Sequence, residues 1–208
     1  MASKATSTSG SKRRNRPSPR QRLLASATHL FTTEGIRVIG IDRILREADV
    51  AKASLYSLFG SKDKLVIAYL EALDEKARET WATRTAGMTD VESKILAFFD
   101  IVIDEEPGKD FRGSHFLNAA NEYPKPDTDS EAQIVDTCLA HRQWMHDTMT
   151  ALLNEKNGYP SATQADQLLI FLDGGQAGAR LLRDKSPLYT ARDLARHMLN
   201  QPPADYSI

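Results

Sequence analysis

Several features that mark specialised classes of protein are rare or missing in this chain of 208 residues. A single cysteine, Cys138, excludes an intramolecular disulfide framework and fits the reducing cytoplasm. No apolar run approaches the roughly 20 residues that a membrane-spanning helix requires. The first residues are polar and basic, without the apolar stretch of a secretion signal. We therefore expect a cytoplasmic protein with one medium domain, or a small domain joined to a larger one.

Patterns that would indicate catalysis or a bound metal are also missing. Ser114 and His115 are adjacent, but no third group is placed to orient the histidine, and no nucleophile-elbow motif surrounds the serine. Cys138 and His141 are three residues apart, with His115 and His146 elsewhere, so a metal site is conceivable. Packed or exposed histidines are the more common outcome, since no paired ligand motif is present. We expect neither an enzyme nor a cofactor or metal.

Charge is distributed unevenly along the chain, although the net charge is only −1. Residues 1–60 carry 11 Lys or Arg against 4 Asp or Glu, whereas residues 61–208 carry 16 against 24. A basic first part joined to an acidic remainder indicates a polyanionic partner at one end of the molecule.

Helical periodicity runs along the chain, and neither a strand pattern nor an internal repeat is visible. A capping box at Ser18 begins a first helix, which Gly35 ends. Ser61 is predicted to cap a long fourth helix that runs to about residue 84. Pro187 interrupts the last part of the pattern, so the final helix is expected from about residue 190 to residue 199.

Two short helices joined by a tight turn are predicted between residues 39 and 59. The first has one apolar face, formed by Ile41, Ile44, Leu45 and Ala48. The second is predicted to turn inward Ala51, Leu55, Leu58 and Phe59, and to present outward Lys52, Ala53, Ser54, Tyr56 and Ser57. Short side chains allow close approach to DNA, and lysine and hydroxyl groups bind phosphates and base edges. The pattern is typical of a helix-turn-helix, whose second helix enters the major groove.

Residues 20–70 resemble the DNA-binding domain of the tetracycline-repressor (TetR) family. The string LYxxFxSKxxL is the most specific part of the resemblance, which rests on Ala27, Leu30, Phe31, Gly35, Ile44, Ala48, Val50, Lys52, Leu55, Tyr56, Phe59, Ser61, Lys62 and Leu65. Residues 112–124, RGSHFLNAANEYP, resemble a further stretch found in many members. Four residues depart from the common pattern of the DNA-binding domain: Asp49 replaces Gly, Ala51 replaces Ser or Thr, Ala53 replaces Gly, and Leu58 replaces His or Tyr.

The resemblance implies an all-α protein with an N-terminal three-helix head that binds DNA and a C-terminal helical body that binds a ligand and dimerises. The expected boundaries are 1–17 for a disordered basic arm, 18–64 for the helix-turn-helix domain, 65–200 for the body and 201–208 for a tail. The basic segment 12–22 is either a solvated tail or an extension that reaches phosphates or the adjacent minor groove.

The function implied by the resemblance is that of a ligand-responsive transcriptional regulator, acting as a repressor. It would bind a palindromic double-stranded DNA operator as a homodimer and be released by a small-molecule effector. The DNA contacts implied are those of Lys52, Ala53, Ser54, Tyr56 and Ser57, with phosphate contacts from Arg20, Lys62 and Lys64. Two alternatives remain open, a nonspecific nucleic-acid-binding module driven by the basic arm and a purely protein-binding helical dimer.

The resemblance also implies a ligand cavity enclosed by helices 4 to 8. The candidate lining residues are Phe98, Phe99, His115, Phe116, Asn118, Trp144, Met145 and Met149. A lining rich in aromatic residues and methionine would suit a flat or flexible apolar molecule. The alternative is an ordinary core, which is where side chains of these types more often lie.

Three glycines, at residues 174, 175 and 178, lie within a helical pattern. Because each glycine destabilises a helix by roughly 1 kcal/mol relative to alanine, we expect these positions to have a structural reason for lacking a side chain. No Lys-Ser/Thr follows and no strand precedes, which excludes a phosphate loop. TetR-family members dimerise through their last two long helices as a four-helix bundle. The resemblance therefore implies a self-association face formed by Phe171, Gly174, Gly178 and Leu182 together with the final helix. The alternative is tight packing, within one subunit, on helix 7, which is expected from residue 129 or 130 to just before Gly158.

Overall fold

The computed structural model describes residues 16–201, and within this range the chain forms nine α-helices and no strand. The helices are α1 (Pro19–Glu34), α2 (Ile41–Ala48), α3 (Lys52–Phe59), α4 (Lys62–Thr85), α5 (Val91–Glu105), α6 (His115–Glu122), α7 (Asp129–Asn157), α8 (Ala162–Leu182) and α9 (Ser186–Leu199), with a 3-10 turn (Glu106–Lys109) after α5. We call α1–α3 the head and α4–α9 the body. The all-α prediction is confirmed. Most of the predicted disordered arm and nearly all of the predicted tail lie outside the described residues.

Local sequence signals place the ends of the first helix as predicted. The Ser18 hydroxyl accepts from the Gln21 backbone N–H at 3.3 Å, and the Gln21 side chain accepts from the Ser18 N–H at 2.9 Å, which completes the capping box. Gly35 ends α1 with φ +107°, a conformation that side chains other than glycine rarely adopt.

The turn of the helix-turn-helix is fixed from α1. Asp49 ends α2 in the left-handed conformation with φ +51°, which aspartate tolerates better than most residues. The Arg22 guanidinium donates to the carbonyls of Ala48 at 2.8 Å and Asp49 at 2.7 Å. These bonds satisfy carbonyl groups at the end of α2 that have no partner within the helix, so a residue of α1 holds the start of the turn in place.

Three apolar clusters hold the body: a small one around Ile103, Ala179 and Leu188, and two larger ones, the first of which is shared with the head. The shared cluster joins Leu23, Ile44 and Leu55 of the head to residues of α4, α6 and α7 that include Leu65, Tyr69, Ala119 and Ile134. The second cluster lies between α5, α7, α8 and α9 and includes Ile95, Phe99, Met149, Leu168 and Leu172. The head therefore rests on α4, α6 and α7 through continuous buried surface, without an intervening linker. No helix in the described range is long and apolar enough to cross a membrane.

The last helix begins earlier than predicted. We expected it from about residue 190, after a break at Pro187, but α9 begins at Ser186 with Pro187 in its first turn. Proline is tolerated there because the first N–H groups of a helix have no partner within it, and the ring presets a helical φ.

The glycines of α8 allow α9 of the same chain to approach closely. A Cβ atom built at Gly175 would lie 2.8 Å from the Cβ of Ala191, and one built at Gly178 would lie 2.8 Å from the Cβ of Pro187. The placement of Gly178 on the self-association face is therefore wrong, and so is the alternative of helix 7, since α9 occupies that side. Phe171 also packs inward, against the second cluster, while Gly174 is open.

Candidate functional site

The outward face of α3 matches the prediction for the recognition helix. Lys52, Ala53, Tyr56 and Ser57 are exposed and Ser54 is half-buried, while Leu55 is fully buried beneath them. Tyr56 is 47% exposed and its hydroxyl makes no hydrogen bond with the described residues, so the hydroxyl is accessible to a groove or phosphate. The helix presents a strip of small and hydroxyl-bearing side chains in front of a buried leucine.

Two residues of this segment do not face inward as predicted. Leu58 is 40% exposed, and Ala51 is exposed as the N-cap of α3. The helix has only eight residues, and Leu55 with the half-buried Phe59 is enough to hold it on the head. Ala51 provides no side-chain cap, so the first turn of α3 has N–H groups free to meet an anion.

Lys62, expected at a phosphate, is held within the head. Its amine donates to the Ile36 carbonyl at 2.7 Å and lies 6.0 Å from the centre of the Phe31 ring. Burial lowers the pKa of Lys62, although the nearby Asp63 carboxylate opposes that shift. In this arrangement the side chain stabilises the α1–α2 turn.

The other predicted phosphate contacts have different surroundings. Lys64 donates to the Gln133 side chain of α7, which directs it toward the body. Arg20 is exposed, with its guanidinium 5.2 Å from the centre of the Phe59 ring, and Lys52 lies 3.6 Å from the exposed Asp42. Exposed ion pairs of this kind contribute little to stability, so the Lys52 amine is available to another anionic partner.

A cavity of about 410 Å³ lies where the head meets the body. Its wall is formed by α4, α5, α6, α7 and α8, and by three threonines of the head on α1: Thr28, Thr32 and Thr33. The volume is within the range of small-molecule sites, about 300–1,000 Å³. One void therefore contacts both the first helix of the head and five helices of the body.

Five rings form a continuous chain along this cavity. Trp81 stacks on Phe98 with their centres 5.3 Å apart, and Phe98 meets Trp144 edge-on at 5.7 Å. His141 lies 5.5 Å from Trp144 and stacks face to face on Phe116 at 3.7 Å. An aromatic wall of this length offers a ligand several faces and edges at once.

His141 is fixed at the base of the aromatic chain by a carboxylate. Its Nδ1 lies 2.7 Å from Oδ1 of Asp74, whose other oxygen accepts from Arg78 at 2.7 Å. Burial lowers the pKa of His141, and the hydrogen bond to Asp74 opposes that shift. Asp74 orients the ring and holds its plane against Phe116.

The predicted cavity residues divide into two groups. Phe98, His115, Phe116, Trp144 and Met145 line the cavity. The remaining predictions are wrong: Phe99 and Met149 are buried in the second cluster, and the Asn118 amide donates to the Arg112 carbonyl at 2.9 Å behind the wall. Residues that the sequence did not single out complete the lining, among them Trp81, Arg112, His141 and Gln176.

The end of α6 is attached directly to the helix-turn-helix. The Glu122 carboxylate accepts from the Ile36 N–H at 3.0 Å and from the Arg37 N–H at 2.6 Å, both in the turn between α1 and α2. Arg37 also pairs with Glu131 of α7 at 3.0 Å. Because α6 lines the cavity at its other end, a single helix of eight residues connects the cavity to the turn before α2.

An exposed apolar strip runs along α8. Ile170 is 61% exposed and Leu181 is 83% exposed, and between them Gly174 and Ala177 fall at helical spacing on the same face. Leu182, one of the residues predicted for the self-association face, is exposed beside this strip. A contiguous exposed apolar surface of this kind is a candidate interaction site.

Comparison with known proteins agrees with this architecture. Residues 23–69 match the family model described as bacterial regulatory proteins, tetR family. The crystal structure of a TetR-family transcriptional regulator from Streptomyces coelicolor is 35% identical, with a TM-score of 0.78 over 87% of this chain and 94% of that one.

Two further bacterial regulators match part of the chain. LmrA of Bacillus subtilis, an HTH-type transcriptional regulator, is 34% identical over 80 residues, and FasR of Mycolicibacterium smegmatis, an HTH-type transcriptional activator, is 31% identical over 107 residues. The matches span 38% and 48% of this chain, and 43% and 49% of those proteins, so less than half the length of either is represented here. With the structural likeness to the Streptomyces protein along nearly its whole length, the chain belongs to the TetR family of DNA-binding transcriptional regulators.

Proposed function

We propose that this protein is a ligand-responsive repressor that binds a palindromic operator as a homodimer and leaves it when a small molecule enters the cavity. The observation that carries the proposal is the shared wall of the cavity, to which the head contributes Thr28, Thr32 and Thr33 of α1. A ligand in contact with both parts binds differently when the head moves. That difference in affinity is what a ligand needs to shift a conformational equilibrium.

The route from cavity to DNA runs through α6. His115 and Phe116 at its start line the cavity, and Glu122 at its end accepts from the N–H groups of Ile36 and Arg37. A ligand that displaces the start of α6 would pull on the α1–α2 turn and change the position of α3. The DNA-bound arrangement requires two recognition helices about 34 Å apart, so a small rotation of each head is enough to lower affinity.

The exposed apolar strip supports dimerisation through α8 and α9. We place Ile170, Gly174, Ala177 and Leu181 at the centre of the interface, with Leu194 of α9 beside them. Gly174 has no atom within 4 Å of the position a Cβ would take, which leaves room for a second helix to approach. One eight-residue recognition helix makes too few contacts for a specific site, and a dimer doubles them.

DNA contact by α3 is tested with one exposed tyrosine and its matched control. Tyr56→Ala should weaken binding of a short duplex by about 10-fold, the loss of one phosphate or base hydrogen bond of 1–2 kcal/mol. Tyr159→Ala, in the loop after α7 and similarly exposed, should leave affinity unchanged. Fluorescence anisotropy measures both, and equal affinities for the two variants would contradict the role of α3.

The sign of regulation and the role of the arm are tested separately. Because FasR is an activator, a reporter assay with the operator upstream of a promoter decides between repression and activation.

The role of the basic arm is tested by truncation. Removing residues 1–15 should weaken DNA binding without changing the preferred sequence. If binding is instead abolished, the alternative of a nonspecific module driven by the basic arm is correct.

A further inference from the structure

The cavity contains a positive charge that the described residues do not neutralise. Arg112 lines the cavity, and its Nε atom is buried without a hydrogen-bond partner. Its guanidinium forms no ion pair with any residue in the described range. Glu106, six residues earlier in the sequence, is fully buried and does not line the cavity. One of its oxygens accepts from the Gly113 N–H at 2.7 Å, and the other is buried without a hydrogen-bond partner, so neither is bonded to the Arg112 guanidinium. A half-buried guanidinium without a counter-ion is costly unless a ligand supplies one.

The acidic groups of the lining are already engaged. Asp110 pairs with Arg183, and Asp173 pairs with Arg142. Glu105 also has an interaction partner. A second cation in the lining, Lys76 of α4, is exposed and makes no hydrogen bond or ion pair with the described part of the chain. The charges available to a ligand are therefore positive.

The surroundings of Arg112 favour an anion further. The first turn of α6 lines the cavity and carries no acidic residue, so the positive end of its dipole is not compensated there. Gln176 of α8, only 8% exposed, adds an amide without a hydrogen bond to the described residues. A planar guanidinium matches a carboxylate through two parallel hydrogen bonds, which an amide dipole can supplement.

Size and wall chemistry define the remainder of the ligand. A void of about 410 Å³ holds roughly 14 water volumes at about 30 Å³ each, which suits a molecule with one or two rings. The aromatic chain from Trp81 to Phe116 provides the faces and edges that another ring prefers.

We propose, building on the effector role proposed above for this cavity, that it binds an aromatic carboxylate whose acid group pairs with Arg112 and whose ring lies against Trp81, Phe98 and Trp144. The carboxylate replaces the missing counter-ion of the guanidinium. The ring lies in the part of the cavity that the charged side chains leave apolar.

The test uses four probes of nearly the same shape and different chemistry. They are 4-phenylbutanoate, its neutral amide 4-phenylbutanamide, the cation 4-phenylbutylammonium, and 4-cyclohexylbutanoate, which keeps the charge and lacks the aromatic ring. The two tryptophans of the chain, Trp81 and Trp144, both line the cavity, so their fluorescence reports binding without a label. Calorimetry on the full-length protein gives the dissociation constants.

The aromatic acid should bind 10- to 100-fold more tightly than its amide, the factor for a charged hydrogen bond at a partly buried site. It should also bind more tightly than the cyclohexyl acid, and the cation should bind weakest. Arg112→Gln should remove the preference for acid over amide, whereas Arg84→Gln, which removes an exposed charge outside the cavity, should preserve it. If the glutamine variant does not fold, Arg112→Lys keeps the charge and should retain a reduced preference.

Three results would overturn the assignment: tighter binding of the cation, a preference for acid that survives Arg112→Gln, or no binding of the acid at millimolar concentration. The effector role is tested on its own by adding the acid to the protein–DNA complex. An acid that binds with the expected Arg112 dependence but leaves DNA affinity unchanged supports the ligand class and refutes the proposed release of DNA.

Discussion

Replacing Glu122 by glutamine should loosen the turn between α1 and α2 without unfolding the molecule. The carboxylate accepts from two backbone N–H groups, those of Ile36 and Arg37. Glutamine has nearly the same size but only one acceptor oxygen, and its NH₂ group would face one of the two donors. The apolar cluster shared by head and body is unchanged, and Lys62 still holds the Ile36 carbonyl, so the fold should persist.

The size of the effect follows from the two hydrogen bonds. Bonds to a charged acceptor contribute about 1.5–3 kcal/mol and those to a neutral acceptor about 0.5–1.5 kcal/mol. The substitution replaces one charged acceptor with a neutral one and removes the other hydrogen bond. After water partly replaces the lost partner, it should destabilise the closed turn by about 1–3 kcal/mol. With about 1.36 kcal/mol for each tenfold change, local opening of the turn should become roughly 5- to 150-fold more frequent.

Amide hydrogen exchange at Ile36 and Arg37 measures this opening directly, because both N–H groups are protected by the carboxylate itself. The matched control is Glu79→Gln, which changes an exposed carboxylate of α4 that makes no hydrogen bond or ion pair with the described residues. Exchange in the control should equal that of the parent protein. Unchanged protection of the two amides in Glu122→Gln would refute the claim that α6 holds the turn.

Two further predictions concern α8. Gly175→Ala should lower the free energy of unfolding by about 1–3 kcal/mol, since the new Cβ would overlap Ala191 and α8 and α9 would have to separate. Denaturant unfolding measures this change, and a variant as stable as the parent protein would contradict close packing of α8 on α9. Leu181→Glu should weaken self-association at least 10-fold by placing a charge where about 1.5–3 kcal/mol of burial is expected, with Leu139→Glu on α7 as the exposed control. Sedimentation velocity compares the two, and dimers that persist equally in both would exclude α8 from the interface.

Helix ends could be predicted well where the signal is local. Ser18 and Gly35 act through their own side chain and backbone, so the first helix has the predicted limits. Pro187 shows where such signals are ambiguous, because proline interrupts a helix interior but fits its first turn. The packing of α9 on Gly175 and Gly178, which local sequence does not show, places Pro187 in a first turn rather than at a break between helices.

The face of α3 was predictable because a helical repeat fixes which residues share a side. The direction of a long side chain was not, since Lys62 has the same residue type whether it points to DNA or to the Ile36 carbonyl. The exposure of Leu58 was not predictable either, because it depends on how α3 packs on the head through Leu55.

The cavity was the least predictable part. Periodicity identifies apolar residues that face inward, but it cannot separate a side chain beside a void from one in filled core. Phe98 and Phe99 are adjacent in α5, and only the first lines the cavity. Arg112 lies outside any helix and carries no periodic signal, so its place in the wall appears only once α5, α6 and α8 are packed together.

The most direct test of the whole account is selection of DNA from a random pool by the purified full-length protein at about physiological salt. A dimeric regulator that uses α3 for recognition should enrich an inverted repeat whose half-sites are centred about one helical turn apart. The enriched duplex should bind the Tyr56→Ala variant more weakly than the parent protein, and it should bind the Tyr159→Ala control with unchanged affinity. Failure to enrich any sequence, together with binding that disappears as salt rises, would contradict specific regulation and leave only electrostatic attachment to the DNA backbone.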